Sequence, residues 1–479
     1  MTRTVWIRNA DWVVAWDRAA ARHAYLRDGD VVFAGDALTF VGRGYGGQAD
    51  ETIDARGLMV MPGLIDVHSH PGHELSYRGI REEHGLPEMY MSGLFERSVA
   101  YGLDDEGRLA CAEAAYCELL LSGVTTLVDI SAEYAGWVDL MARSGLRAVL
   151  APSYASARWV VRRSHLLEYE WNEAAGRKNF DAALRLVSDL GRHPSGRLSG
   201  MVSPAQIDTC TEDLLRDSIA AARERRVPFT IHCAQAVSEF QEIVRRHGIT
   251  PVQWAHGLGL LGPGTILGHA IFVDEHAWLH WWSRRDVALL AETGASVAHC
   301  PTPFARYGQT LRDFGRYRRA GVNLGIGTDT VPQNMLEEIR WATVLARVAA
   351  EDIRTAEMAD VFHAATAGGA RALLREDIGR LAPGAKADLV LVDLANPWMM
   401  PVRDPLRSLV FHAADRAVRD VWVDGRRVVD GGRVVALDRA GALERLQAAQ
   451  ARMEAGVPGR DPRRRASAEI APLSLPTLP

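Results

Sequence analysis

Cysteine is scarce in this 479-residue chain: there are five, and no two form a CxxC pair. That excludes a cysteine-built zinc module and a disulfide framework, and reduced thiols are expected. Long apolar runs are missing too. No stretch approaches the ~18 uninterrupted apolar residues of a membrane span, and the opening MTRTVWIRNADWVVAW lacks the basic start and apolar core of a secretory leader. Nor is there an excess of positive charge. With 55 Lys and Arg against 60 Asp and Glu, a formal net charge of -5, nothing offers a basic field to nucleic acid or an anionic membrane. These absences leave a cytoplasmic enzyme acting on a small molecule as the expectation, with no nucleic-acid or membrane partner. At 48% hydrophobic and 24% charged, the chain is long enough for one large domain plus a smaller one.

What is present changes texture along the chain. Residues 1–59 alternate apolar and polar, as in TVWIRNADWVVAW and GDVVFAGDALTFVGRG, with turns at Asp-Gly and Gly-Asp. The same texture returns over 376–437, where Asp424-Gly425 separates two alternating runs and marks a hairpin. Strands at both ends predict one composite β-sandwich built from the two termini. Between them, residues 60–375 alternate short apolar strands with helical stretches: LMVMPGLIDV, GVTTLVDI, LRAVLAPS, LSGMVSP, VPFTIHC, TILGHAIF, ASVAHC and VNLGIGTD. Eight such units predict an α/β fold, a (β/α)8 TIM-type barrel. Residues 438–479 read as an amphipathic helix followed by a disordered tail, RDPRRRASAEIAPLSLPTLP.

Chemistry in such barrels gathers at the carboxyl ends of the strands. There this chain places His68 and His70, His232, His269, His299 and Asp329, after strands 1, 5, 6, 7 and 8. Residues i and i+2 of a strand face one way, so His68 and His70 share a target. Two imidazoles aimed at one point suit a metal ion, and a third histidine with a carboxylate completes a catalytic site; His232 and Asp329 are the candidates.

The motifs PGLIDVHSH, ELLLSGVTTLVD, FTIHCAQ, ILGHAIFVDE, GASVAHCP and GVNLGIGTD, in this order, resemble the amidohydrolase superfamily, in particular its branch of cytosine and guanine deaminases and triazine hydrolases. GRLAPGAKADLVLVDL resembles that branch's return into the β domain, so the similarity covers nearly the whole chain. The resemblance implies one divalent ion, zinc or iron, on His68, His70, His232 and Asp329, with His269 beside the attacking water and His299 orienting Asp329 from behind. No lysine ends strand 4, which argues against a second metal. A divalent ion acidifies water; Asp329 then takes the proton, and His269 stabilises the developing oxygen.

The sequence departs from the branch in two places. Its deaminases carry a glutamate three residues after the strand-5 histidine, where this chain has Gln235, an amide that cannot carry a proton. The residues therefore favour hydrolysis of an amide, urea or carbamate over deamination or dechlorination of a nitrogen heterocycle. Glu239 or Glu74 could supply the missing acid, and a non-catalytic binding relative is the remaining alternative. After strand 7, Pro303 and Phe304 stand where relatives have Ser and Asn, making an apolar wall. With three tryptophans in DEHAWLHWWSRRD, this predicts a substrate bearing an aromatic or hydrophobic group. The expected substrate contacts are His73, Glu74, Phe304, Arg306 and Trp278, and a dimer or tetramer is the expected assembly.

Overall fold

The computed structural model describes residues 2–81 and 85–478. Eight parallel strands form the barrel: Leu64–Ser69, Val124–Ser131, Arg147–Tyr154, Leu198–Gly200 with Ser203–Pro204, Phe229–Cys233, Thr265–His269, Ser296–His299 and Asn323–Ile326. They pair in sequence order, in two arcs. Parallel bridges close the ring, Val202 to Phe229 and Gln206 to His232 on one side and Ser69 to Asp329 on the other. Most of these strands are buried along their whole length, as a parallel sheet covered by helices requires, which is why they read as continuous apolar runs. Side-chain caps start the intervening helices, Asp104 accepting from the Gly107 amide and Thr211 from that of Leu214.

The termini meet in one nine-stranded sheet. Strand Thr4–Asp17 pairs along one edge with Arg22–Ala34 and along the other with Glu51–Asp54 and Leu58–Pro62. Leu58–Pro62 in turn pairs with Leu389–Asp393 from the far end of the chain. Val5, Ile7, Phe33, Val60, Leu391 and Trp422 belong to the core enclosed by this composite β-sandwich domain. Its junction with the barrel carries a buried ion pair: Arg147, at the start of the third barrel strand, donates to Asp388 at 2.8 and 3.1 Å and to Asp424 at 2.8 Å.

Three features differ from the sequence reading. LMVMPGLIDV is two strands rather than one, because residues 58–62 belong to the terminal sheet and the chain breaks at Gly63. A Cβ there would lie 2.0 Å from Thr125 Oγ1, so only glycine passes. An unpredicted hairpin, Ala157–Arg163 with Leu166–Trp171, follows the third barrel strand. The tail expected to be disordered is structured over much of its length: after helix Arg439–Ala455 come two short helices, Val457–Arg460 and Ser467–Ile470, with Val457, Asp461 and Ser467 buried. One of its charges, Arg465, is matched far off in sequence by Glu96.

All five cysteines are buried and free. Among the described residues no helix is long and apolar enough to cross a membrane.

Candidate active site and metal centre

Barrel strands 1, 5 and 6 end in His68 and His70, His232 and His269, and the loop after strand 8 brings Asp329 across to close the ring. Asp329 donates its amide to the His68 carbonyl and accepts from the His70 amide, at 2.8 and 3.1 Å. Its backbone is left-handed (φ 56°), as are Ala234 and Ala270 just beyond strands 5 and 6 (φ 56° and 51°). Non-glycine residues rarely adopt this conformation, and such strain collects at functional sites. Gly268 makes room for the cluster, since a Cβ there would sit 2.6 Å from His68 Cε1.

The side chains converge. Asp329 Oδ1 lies 3.6 Å from His68 Nε2 and 3.3 Å from His70 Nε2, and Oδ2 lies 3.8 Å from His269 Nε2. His70 Nδ1 is 2.8 Å from the Ile130 carbonyl oxygen and His232 Nδ1 is 2.6 Å from that of Ala205. A carbonyl only accepts, so both Nδ1 atoms carry the proton and both Nε2 lone pairs face inward. Those two Nε2 atoms stand 3.2 Å apart. Two acceptors at that separation repel unless a cation lies between them. Neither ring nitrogen of buried His68 has a hydrogen-bond partner. Burial holds His70 near a pKa of 3 and His232 near 4, and it drives His68 and His269 well below the ordinary value. Neutral imidazoles with inward lone pairs and one carboxylate are the donor set a divalent ion takes. Two groups here, His68, His70 and His232, and His68, His269 and Asp329, each hold their ligand atoms within 4.8 Å of one another.

The cluster opens on a cavity of about 590 Å³ at the carboxyl ends of the strands, lined by His70, His232, Gln235, His269 and Asp329 among others. Comparison with known proteins gives the group a context. The amidohydrolase family pattern matches residues 59–428. This chain belongs to that family. It is 30% identical over 408 residues to a 5-methylthioadenosine/S-adenosylhomocysteine deaminase of Natronomonas pharaonis, covering 84% of this chain and 89% of the relative. With a 5'-deoxyadenosine deaminase of Methanothermobacter thermautotrophicus the identity is 29%, over 79% and 84%. Among solved structures, an adenosine deaminase from Xanthomonas campestris with bound zinc superposes with a TM-score of 0.79 at 23% identity, over 94% and 98% of the chains. An atrazine chlorohydrolase from Arthrobacter aurescens complexed with zinc gives 0.77 at 22%, over 93% and 100%. At such identities these structures speak for the fold, the barrel with its terminal sheet. The amidohydrolase is a hydrolytic enzyme acting on carbon–nitrogen bonds, and the binding-only alternative falls away.

The residues singled out in the sequence have different fates in this amidohydrolase. His299 is buried at the end of strand 7, held near a pKa of 3 by burial and close enough to His269 to lower its pKa. Gln235 lines the cavity, and its buried Oε1 has no hydrogen-bond partner. Phe304 also lines it, its ring 4.4 Å from that of His269. His73 and Glu74 line it too, joined at 3.2 Å, with the His73 ring 5.5 Å from that of His70. Burial would raise the Glu74 carboxyl, but Arg97 and His73 bring it down to about 2.

Three candidates stand outside the cavity lining. Trp278 is 53% exposed and packs edge-on against Tyr90. Arg306 also stays outside that lining, because its guanidinium donates to the Val331 carbonyl. Glu239 also stays outside that lining: burial pushes its carboxyl up to about 8, and its oxygens accept the amides of Ala234 and Gln235 at 2.6 and 2.8 Å, fixing the loop that presents Gln235.

Several residues escaped the sequence reading. Trp159 lines the cavity from the hairpin, its Nε1 donating to Asp208 at 2.8 Å. Arg97 and Tyr101 line it from the segment after strand 1. Asp66 accepts from the amides of His68 and Thr328 at 3.1 and 3.2 Å and from the Thr328 hydroxyl at 2.6 Å, welding the ends of strands 1 and 8 beneath the cluster. Burial pushes its carboxyl up to about 7 against those hydrogen bonds. The only signal for it was a buried-strand acid two residues ahead of His68.

Proposed function

We propose that this amidohydrolase is a hydrolytic deaminase of a nitrogen heterocycle, of the aminopurine-nucleoside or aminotriazine type, and that it holds one divalent ion, zinc or iron, on His68, His70, His232 and Asp329. The observation that carries the metal site is the pair of inward Nε2 lone pairs 3.2 Å apart on His70 and His232. The choice of a heterocycle is supported by the deaminase names of relatives aligned along most of the chain. It displaces the preference for an amide or urea drawn from Gln235. A cavity of about 590 Å³ also suits a ring with a substituent better than a bare base.

When bound, the ion acidifies a water molecule at neutral pH. Asp329, facing three imidazoles, takes the nucleophile's proton and returns it to the leaving nitrogen. His269 offers a hydrogen bond to the oxygen as charge builds there. Phe304 and Trp159 pack the apolar part of the substrate and exclude water. Gln235 binds the ring edge: its free Oε1 accepts an N–H, and its amide donates to a ring nitrogen. An amide cannot deliver a proton, and this keeps alive a second reading, hydrolysis of an amide, urea or carbamate bearing an aromatic group.

One assay separates the two. Protein loaded with zinc or iron is offered aminopurine nucleosides and aminotriazines beside anilides and phenylureas, with ammonia and organic amine measured separately. Ammonia from the heterocycles is the expected result; amine from the second group alone would overturn the deaminase reading.

A further inference from the structure

The C-terminal segment lies outside the barrel, yet it touches the two stretches that build the polar wall of the cavity. Gln450 donates through Nε2 to the carbonyls of Ser76 and Arg78, at 2.6 and 2.8 Å, and so clamps the turn that carries Glu74. Met453 and Val457 pack with Tyr77, Ala100 and Tyr101. Arg460 donates to the Ala100 carbonyl at 2.9 Å, and Ser467 Oγ lies 3.0 Å from the Tyr101 hydroxyl. The contact of greatest consequence is electrostatic. Glu96, with 2% of its side chain exposed, receives Arg465 on Oε2 while its Oε1 has no hydrogen-bond partner. Arg465 is itself held by Asp461 at 2.9 Å. Glu96 sits in helix Ser92–Ala100, next to Arg97, which faces the cavity beside Glu74.

We infer that residues 439 to 470 buttress the substrate pocket, with Arg465 and Glu96 as positioning residues that hold Arg97 and Tyr101 at the cavity. The inference rests on the reading of this cavity as the substrate pocket. Losing Arg465 leaves two buried carboxylates, Glu96 and Asp461, without their cation, a state the chain relieves by turning Glu96 toward water. Arg97 and Tyr101 share that helix and its end, so they move with it, and the wall loses its shape while the histidine cluster, on other elements, keeps its own.

The test uses the full-length, metal-loaded protein and the variants Arg465→Ala, Arg465→Lys and Glu96→Gln combined with Arg465→Ala. Hydrogen exchange is read over residues 74–77 and 92–101 and over the barrel strands, and KM and kcat are read on whichever heterocycle the unaltered protein deaminates. Arg465→Ala is expected to speed exchange roughly tenfold in those two stretches alone. It should raise KM about tenfold with kcat changed less than about twofold, since a wall that binds substrate and transition state alike acts through KM. Arg465→Lys keeps a cation and restores part of the loss. The double variant, in which Glu96 is no longer a buried charge and only Asp461 has lost its cation, recovers more than Arg465→Ala alone. Unchanged exchange in the two stretches, or equal loss across the barrel strands, overturns the buttress. If no heterocycle is deaminated, local loss of protection still supports the buttress while the deaminase reading falls.

Discussion

The histidine cluster and the wall facing it are built by different means. His68, His70, His232 and His269 hang from strands whose neighbours fix their register, and hydrogen bonds to the Ile130 and Ala205 carbonyls fix two of the rings. The opposing wall comes from outside the barrel: helix Ser92–Ala100, the hairpin bearing Trp159, and the C-terminal segment behind them. Residue type and position along a strand determine the first. Docking between stretches hundreds of residues apart determines the second. The histidine cluster and much of the cavity wall therefore sit on separable parts of the molecule, and substitutions in the two should differ in effect.

The largest effect should come from Asp329→Asn, which keeps the carboxylate's shape without its basicity: turnover should fall about 10³-fold or more with the melting temperature little changed. Appreciable residual activity would remove Asp329 as the proton acceptor. Gln235→Glu puts a titratable acid at the ring edge and should raise ammonia release from amino-heterocycles by about 10²-fold; an unchanged rate would mean that the proton already arrives by another route.

Acid should expose the rim by a different measure. Burial holds His70 and His299 at the rim, and His23 in the terminal sheet, near 3 and His232 near 4, against 6.5 in an unfolded chain. Below pH 6.5 the unfolded chain therefore binds protons that the folded chain refuses, and the stability of the metal-free protein should decline steadily down to about pH 4. Thermal melts at pH 7, 5.5 and 4.5 check the sign; a flat profile would contradict the burial of neutral imidazoles. Around the apolar side of the cavity, on both the rim and the hairpin, the effects are smaller. Phe304→Ala and Trp159→Ala should each raise KM roughly tenfold for a substrate with an apolar substituent and much less for the bare ring. Arg306→Ala should change KM less than about twofold for neutral and carboxylate substrates alike, because its guanidinium is occupied by the Val331 carbonyl.

The barrel and its rim were legible because eight apolar runs each ended in turn chemistry, and because the histidines followed those runs at fixed offsets. The wall was not. Arg465 sits in a charge-rich stretch that reads as solvated tail, and nothing near it in sequence reveals that Glu96 waits buried to receive it. The hairpin over 157–171 follows directly on a barrel strand, so its pattern merges with the strand before it. Trp278 misled for the opposite reason: an aromatic-rich loop reads as pocket although its ring lies on the surface. The break at Gly63 was hidden because residues on both sides are fully buried and leave no alternation to mark where one sheet yields to another.

That break also bears on how the protein comes into being. Strand Leu58–Pro62, buried at every residue, lies between the first strand of the chain and Leu389–Asp393. During synthesis its second neighbour leaves the ribosome roughly 300 residues after it, once the whole barrel has been made. For that interval an apolar strand edge stands open to any passing β-strand. A barrel that folds during synthesis does so tethered to a half-finished sheet, and the last strands to emerge close the edge that the first ones left exposed.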